Sequence, residues 1–189
     1  MYRALADLAP VRRTVGRPVA GQVPPPPRAF ARFGDGSWIV PSADVHRPHR
    51  IAVGSRVIVL EHSTLAVLDD GDGPALVLGD DVRLARFNTI VCGPGVVLGH
   101  GVASSDQATI LGSWRDVHRP AATLAGLPLP DDGPVVIGNG AYLGCNSTVY
   151  PGVTIGDGAY IGEGAVVVED VPAHAVVSGN PAVVVRRCA

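Results

Sequence analysis

His118 stands two residues beyond Asp116 and three beyond Arg115, with Trp114 immediately ahead of them. An imidazole accepts a proton near neutral pH, a carboxylate beside it fixes its tautomer, an indole stacks on a flat ligand, and a guanidinium pairs with anions. Together such groups could bind a polar small molecule and deprotonate it. Asp106 offers a second carboxylate to orient the His118 ring. The competing readings pack Trp114 against neighbouring structure and leave His118 on a loop surface, held by Arg119-Pro120, or give it an indirect part in binding. His100, just after Leu98-Gly99, is a weaker candidate base, because an exposed turn is the ordinary place for such a histidine. His46, His49, His62 and His174 read as surface or packing residues.

The elements that must position this cluster follow from a period of six. Ile137, Leu143, Val149, Ile155, Ile161 and Val167 recur at every sixth position without a break, and a small residue usually follows, as at Gly138, Gly144, Gly156 and Gly162. The same register is expected upstream at Leu78, Leu84, Ile90, Val96 and Val102, and before that at Ile39, Val45, Ile51 and Val57. A six-residue unit cannot bury its own apolar side chain, so successive units must wind into a stack with a continuous aliphatic interior. Three flat faces per turn make a triangular prism, with Gly138-Asn139-Gly140 and Gly156-Asp157-Gly158 suited to its corners. Ordinary β-hairpins would show two-residue alternation and would not hold a six-residue register for so long.

Three stretches interrupt the pattern. Residues 1–37 contain Pro24-Pro25-Pro26-Pro27 and read as an N-terminal arm or linker. Residues 61–75, with Asp69-Asp70-Gly71-Asp72-Gly73, read as a loop or hairpin extension of a coil. Residues 109–134 carry the Trp114–His118 cluster, and a long loop inside a rigid solenoid is more often functional than not. The expected organisation is an arm over 1–37, one β-helix domain over 38–185 and a short tail over 186–189.

Composition narrows the function. The 189 residues hold 15 basic and 17 acidic side chains, with no Lys/Arg run, which disfavours nucleic acid as a partner. No segment reads as a signal peptide or membrane span, so a soluble cytoplasmic protein is expected, with no membrane partner. Cys92, Cys145 and Cys188 show no CxxC spacing and read as small apolar fillers or a free thiol. The histidines lack the paired spacing of a three-histidine zinc site, so no metal is expected.

The C-terminal third resembles the hexapeptide-repeat acyltransferases, in particular the maltose, galactoside and sugar O-acetyltransferases. The resemblance rests on Gly133-Pro134-Val135-Val136-Ile137-Gly138, on Tyr150-Pro151-Gly152-Val153-Thr154-Ile155-Gly156, and on Val168-Glu169-Asp170-Val171-Pro172 followed by Ser178-Gly179-Asn180-Pro181-Ala182. It implies an all-β fold, a left-handed parallel β-helix, with clefts shared by adjacent subunits of a homotrimer. It implies transfer of an acyl group from acetyl-CoA or another acyl-CoA to a hydroxyl or amine of a small-molecule acceptor.

In that family a histidine near the thioester serves as general base. Here Arg115 falls at one possible position of that base and Gln107, after Asp106, at another; neither side chain accepts the proton at neutral pH. His118 is the candidate to take over as catalytic residue, with Trp114, Arg115 and Asp116 as acceptor-binding residues. The resemblance places Gly144, Gly162 and Arg186 at coenzyme A, the glycines leaving room for pantetheine and Arg186 facing its phosphates, with Cys145 in the same set at a position where the family commonly has serine. Glu163 and Glu169 stand where the family has neutral or basic residues, and Arg187 adds a cation. The competing function is a noncatalytic trimeric β-helix that serves as a binding or scaffolding surface.

Overall fold

The computed structural model describes residues 24–68, 71–113 and 133–187. His118, Trp114, Arg115 and Asp116 lie outside the described residues. Strands of two to six residues follow one another along the chain and stack into three sheets of six, eight and six strands. Each sheet takes every third strand until the last turn, so the chain winds as a parallel β-helix of triangular section, the architecture that the resemblance implies with a left hand. The first face runs from Arg32–Phe33 to Thr154–Ile155, the second from Trp38–Ile39 to Ala182–Arg187, and the third from Asp44–His46 to Val166–Val167. All pairings are parallel except the last, where Ala182–Arg187 turns back against Ala175–Gly179 and ends the second sheet. Among the described residues no helix is long and apolar enough to cross a membrane.

Alternation within each short strand sends one side chain in and the next out. The inward set forms three aliphatic columns, one per face. On the first face Phe33, Val53, Leu78, Leu98, Ile137 and Ile155 lie in register. On the third face Val45, Leu65, Ile90, Ile110, Val149 and Val167 do the same. Most of these side chains are completely buried. Phe30, tilted against Phe33 with ring centroids 5.0 Å apart, covers the N-terminal end of the column.

The expected upstream register is out by two residues in places. Leu98, not Val96, pairs with Leu78; Val53, not Ile51, pairs with Phe33. Two residues are inserted before each of these strands, and a shift of two keeps the same side of the chain inward. Val96, Val102, Ile51 and Val57 are therefore buried as expected, but in a second inner row rather than the main columns.

The expected domain limits differ from the strands as well. Arg32–Phe33 already pairs with Ala52 and Val53, so the first coil begins within the segment read as an arm. Thr64–Val67 is a strand of the third face with Leu65 and Val67 inside, so the first part of the segment read as a loop belongs to the coil. Thr109–Leu111 likewise belongs to the third face, and Arg186 and Arg187, read as tail, end the last strand of the second.

Each turn also needs left-handed backbone at its corners. Arg56, Asp81 and His174 adopt it between the first and second faces, and His62, Phe87, Gln107 and Asn146 between the second and third. Arg56 and Asp81 sit one above the other there, and the guanidinium grips the carboxylate through Nε–Oδ1 and Nη2–Oδ2 hydrogen bonds of 2.7 Å each. Hydrogen bonding and charge from Arg56 hold the Asp81 carboxyl below the usual range. A carboxyl lowered by folding stabilises the fold above its unfolded value and loses that contribution as pH falls through its folded value. Asp81→Asn should lower the thermal midpoint at pH 7 by about two degrees or less, because exposed pairs contribute little. That difference should vanish at the acid end of a pH series and shrink in about 1 M salt; an effect that persists in acid would mean that Asp81 acts through packing.

Candidate functional site

All the extra residues of the solenoid leave from one edge. Along each turn, consecutive column positions are six apart between the first and second faces and between the second and third: Val53, Val59, Leu65; Leu78, Leu84, Ile90; Ile137, Leu143, Val149. Between the third face and the first, spacing is free. Val45 leads to Val53 through the 3-10 turn Pro48–Arg50, Leu65 to Leu78 through 68–75, Ile90 to Leu98 through Gly93-Pro94-Gly95, and Ile110 to Ile137 through 112–134.

The exits and returns along this edge are tied to one another. Arg47 Nη1 donates to the Val67 carbonyl at 2.8 Å. Leu68 N–H donates to the Cys92 carbonyl, and Gly112 N–H to the Val91 carbonyl, at 3.0 and 2.6 Å. On the return side Ala75 N–H donates to Arg50, Val96 N–H to Ala75 and Val135 N–H to Gly95, through 2.8, 2.9 and 3.0 Å bonds to the carbonyls. The root of the longest excursion is tightly packed. A Cβ on Gly93 would lie 2.5 Å from Ser113 Cβ, and one on Gly112 would lie 2.7 Å from Val96 Cγ2. Ser113 is buried there, and among the described residues its Oγ has no hydrogen-bond partner.

Flat surfaces flank the edge. On the first face Ala52, Val77, Val97 and Val136 point outward in one row. On the third, Thr64, Thr89, Thr109 and Thr148 form another, with Ala66, Val91 and Leu111 alongside.

The other two edges are occupied by structural hydrogen bonds. Between the first and second faces, Ser55 N–H donates to Asp80 Oδ1, Asp80 N–H to His100 Nδ1, His100 N–H to Asn139 Oδ1 and Asn139 N–H to Asp157 Oδ1, at 2.8, 3.0, 2.8 and 2.7 Å. His100 thus serves as one rung of a side-chain-to-backbone ladder. Its Nδ1 lone pair is used by that N–H, which leaves the ring proton on Nε2 and removes His100 as a ready base.

Asp106 has a similar task between the second and third faces. Its Oδ1 accepts the Arg86 N–H at 2.9 Å, and Oδ2 lies 3.8 Å from Arg86 Nε. Its carboxylate is thus engaged with the coil below, while His118, which it was expected to orient, lies outside the described residues. Gln107 next to it is exposed in left-handed backbone.

Gly144, Cys145 and Gly162 come together on that same edge in successive coils. Gly144 N–H donates to the Ile161 carbonyl at 2.8 Å, and the Cys145 carbonyl accepts the Gly164 N–H at 2.8 Å. A Cβ on Gly144 would lie 2.6 Å from the Ile161 oxygen and one on Gly162 2.9 Å from the Val177 oxygen, so coil stacking by itself requires both glycines. Cys145 is a free, half-buried thiol. Arg186 lies on the second face opposite Val176, apart from that corner, and is exposed. His46 pairs with Asp44 at 3.0 Å, and His62 stacks on Phe87 with centroids 5.2 Å apart. Among the described residues no three His, Cys, Asp or Glu side chains gather as a metal-binding group.

One feature escaped the sequence reading. Tyr142 and Tyr160 pair across adjacent strands of the second face and stack with centroids 5.0 Å apart and planes 19° from parallel. Their separation of eighteen residues is three repeats, one complete turn, which is the signal that would have found them.

Residues 134–168 match the family model described as bacterial transferase hexapeptide (six repeats). The chain is 33% identical over 113 residues to serine acetyltransferase 2 of Arabidopsis thaliana, covering 60% of this chain and 31% of that protein. It is 52% identical over 58 residues to the 2,3,4,5-tetrahydropyridine-2,6-dicarboxylate N-acetyltransferase of Enterococcus faecalis, covering 31% of this chain and 25% of that one. The matches thus span about a third or less of these relatives' length. Among solved structures, the N-acyltransferase AntD of Bacillus cereus, in complex with dTDP and 3-hydroxybutyryl-CoA, superposes with a TM-score of 0.75 at 18% identity, over 86% of this chain and 85% of that one. The acetyltransferase domain of PglB from Neisseria gonorrhoeae, in complex with acetyl coenzyme A, gives 0.60 at 23% identity, over 79% and 58%. The chain carries the bacterial transferase hexapeptide repeat and shares the left-handed β-helix fold of these acyltransferases.

Proposed function

We propose that this chain is an acyltransferase that moves an acyl group, acetyl or longer, from acyl-coenzyme A to a hydroxyl or amine of a small molecule. The observation that carries this is the combination of uninterrupted repeats over 134–168, matching the transferase model, with a long excursion rooted at the one edge where all insertions of the solenoid collect. In the reaction the acceptor oxygen or nitrogen adds to the thioester carbonyl and gives up its proton to a base. The carbonyl oxygen takes the negative charge, which backbone N–H groups stabilise. Collapse of the adduct expels coenzyme A as thiolate, which takes the proton back. His118 is the proposed base, with Trp114, Arg115 and Asp116 on the acceptor and Gly144, Cys145, Gly162 and Arg186 toward coenzyme A.

The assembly is proposed to be a homotrimer in the cytoplasm. The outward row Val77, Val97 and Val136 supports self-association, because it is an apolar strip that a symmetric ring can bury. A noncatalytic trimeric scaffold is the second reading, favoured by Gln107 following Asp106 and by Arg115 in place of a family base.

The test is titration of acetyl-CoA by calorimetry, with free-thiol release followed against a panel of amines, sugars and nucleotide-linked amino sugars. Binding with acceptor-dependent thiol release supports the transferase. Absence of acetyl-CoA binding in a folded trimer would shift the assignment to the scaffold, and a monomer by light scattering would overturn the shared-cleft arrangement.

A further inference from the structure

All three sheets stop at the N-terminal end of the solenoid. Arg32–Phe33, Trp38–Ile39 and Asp44–His46 are the end strands of the first, second and third faces. A coil with a neighbour on one side only leaves apolar surface uncovered, which is why solenoids carry terminal caps. Here that surface holds an open-sided cavity of about 150 Å³, walled by Pro24, Pro25, Pro27, Phe30, Phe33 and Trp38. Trp38 is 39% exposed beside it. Ser37 also lines the cavity, but its hydroxyl is spent, donating to the Gly54 carbonyl at 2.6 Å and accepting the Val57 N–H at 3.0 Å. The occupant that fits is apolar. A cavity of this kind, at about 150 Å³, holds a single benzene-sized group, and one leucine side chain is of similar bulk.

We propose that residues 1–23 of the same chain fold back from Pro24 and seat Leu5 and Leu8 in and over this cavity, as the cap of the first coil. These residues lie outside the described ones and join them at Pro24, itself part of the cavity wall. Leu5, Leu8, Val11, Val15 and Val19 follow one another at steps of three or four, with Asp7, Arg12, Arg13 and Arg17 between them. Such spacing gathers aliphatic side chains on one side of a wound chain. Leu8 stands sixteen positions ahead of Pro24, and an extended chain covers about 3.3 Å per residue, so the leucines reach the cavity even by an indirect route. Tethering gives the segment a millimolar effective concentration at the cavity it adjoins, which favours it over a second copy of the chain. The cap would complete the prism at the end opposite the Ala182–Arg187 strand, whatever reaction the protein performs.

The experiment follows Trp38 fluorescence in a Trp114→Phe background, which removes the other tryptophan of the chain. It compares the full chain, the double variant Leu5→Asp with Leu8→Asp, the double variant Leu5→Met with Leu8→Met, and a chain that starts at residue 24. Far-UV circular dichroism and thermal midpoints establish that each is folded. Removing the cap should raise acrylamide quenching of Trp38 by about twofold or more and shift its emission to the red, in the shortened chain and in the aspartate variant alike. Methionine keeps the bulk and apolar character of leucine, so the methionine variant should match the full chain. Quenching that is equal in the full chain and the aspartate variant overturns the proposal, and that comparison decides alone where the shortened chain does not fold. Protection of Trp38 that is lost as the full chain is diluted assigns the cavity to a second copy and overturns it as well.

Discussion

His118→Ala should reduce acceptor-dependent thiol release by about 10²- to 10⁴-fold, the usual worth of a positioned general base, while acetyl-CoA binding by calorimetry stays within about twofold. Three of the described histidines are committed elsewhere. His100 spends Nδ1 on the Asp80 N–H, His46 is paired with Asp44 and His62 is stacked on Phe87. None of these sits at the root of the long excursion. A base at His118 also predicts that the rate of the unmodified protein rises with pH through the imidazole range near 6.5 and that the residual rate of His118→Ala loses this limb. Full activity in the variant would assign the proton transfer to another group, or to the acceptor itself.

Ile110→Ala should cost about 2–5 kcal/mol of stability, read as a fall in the denaturation midpoint. Ile110 is 1% exposed in the middle of the third-face column. It lies between Ile90, twenty positions before it, and Val149, thirty-nine after, so it joins the coils on either side of the longest excursion. Truncation leaves a cavity in a stack whose neighbours are held by parallel pairing on both sides and cannot collapse into it. Thr109→Ala, one residue away but pointing outward, should change the midpoint far less; equal losses at both positions would show that the column is not the source of stability.

The solenoid was legible in the sequence because its rule is local: an inward aliphatic every six residues and a small residue after it. From Ile137 to Val167 the rule predicts each column position. It slips upstream because Val96 and Leu98 are both aliphatic, two apart and both inward, so only the strand pairing with Leu78 tells which one is the column residue. Arg32–Phe33 was missed as a strand because two residues after a proline-rich stretch carry no period of their own.

The chemistry was less legible for a related reason. The ladder through Asp80, His100, Asn139 and Asp157 joins residues eighteen to thirty-nine apart, and which of them face each other depends on how many residues each coil holds. A histidine in that ladder and a histidine in a catalytic loop look alike in the sequence. Tyr142 and Tyr160 needed the same count before their stacking could be foreseen.

Confining every insertion to the edge between the third and first faces has a consequence for how such a chain can change over time. Adding or removing residues there lengthens a loop whose closure entropy grows only with the logarithm of its length. One residue added within the six-residue steps would instead turn the downstream part of that coil inside out. The prism therefore has a single seam open to variation, and new recognition segments can be spliced in along it, one beside another, while the hydrophobic columns behind them stay untouched.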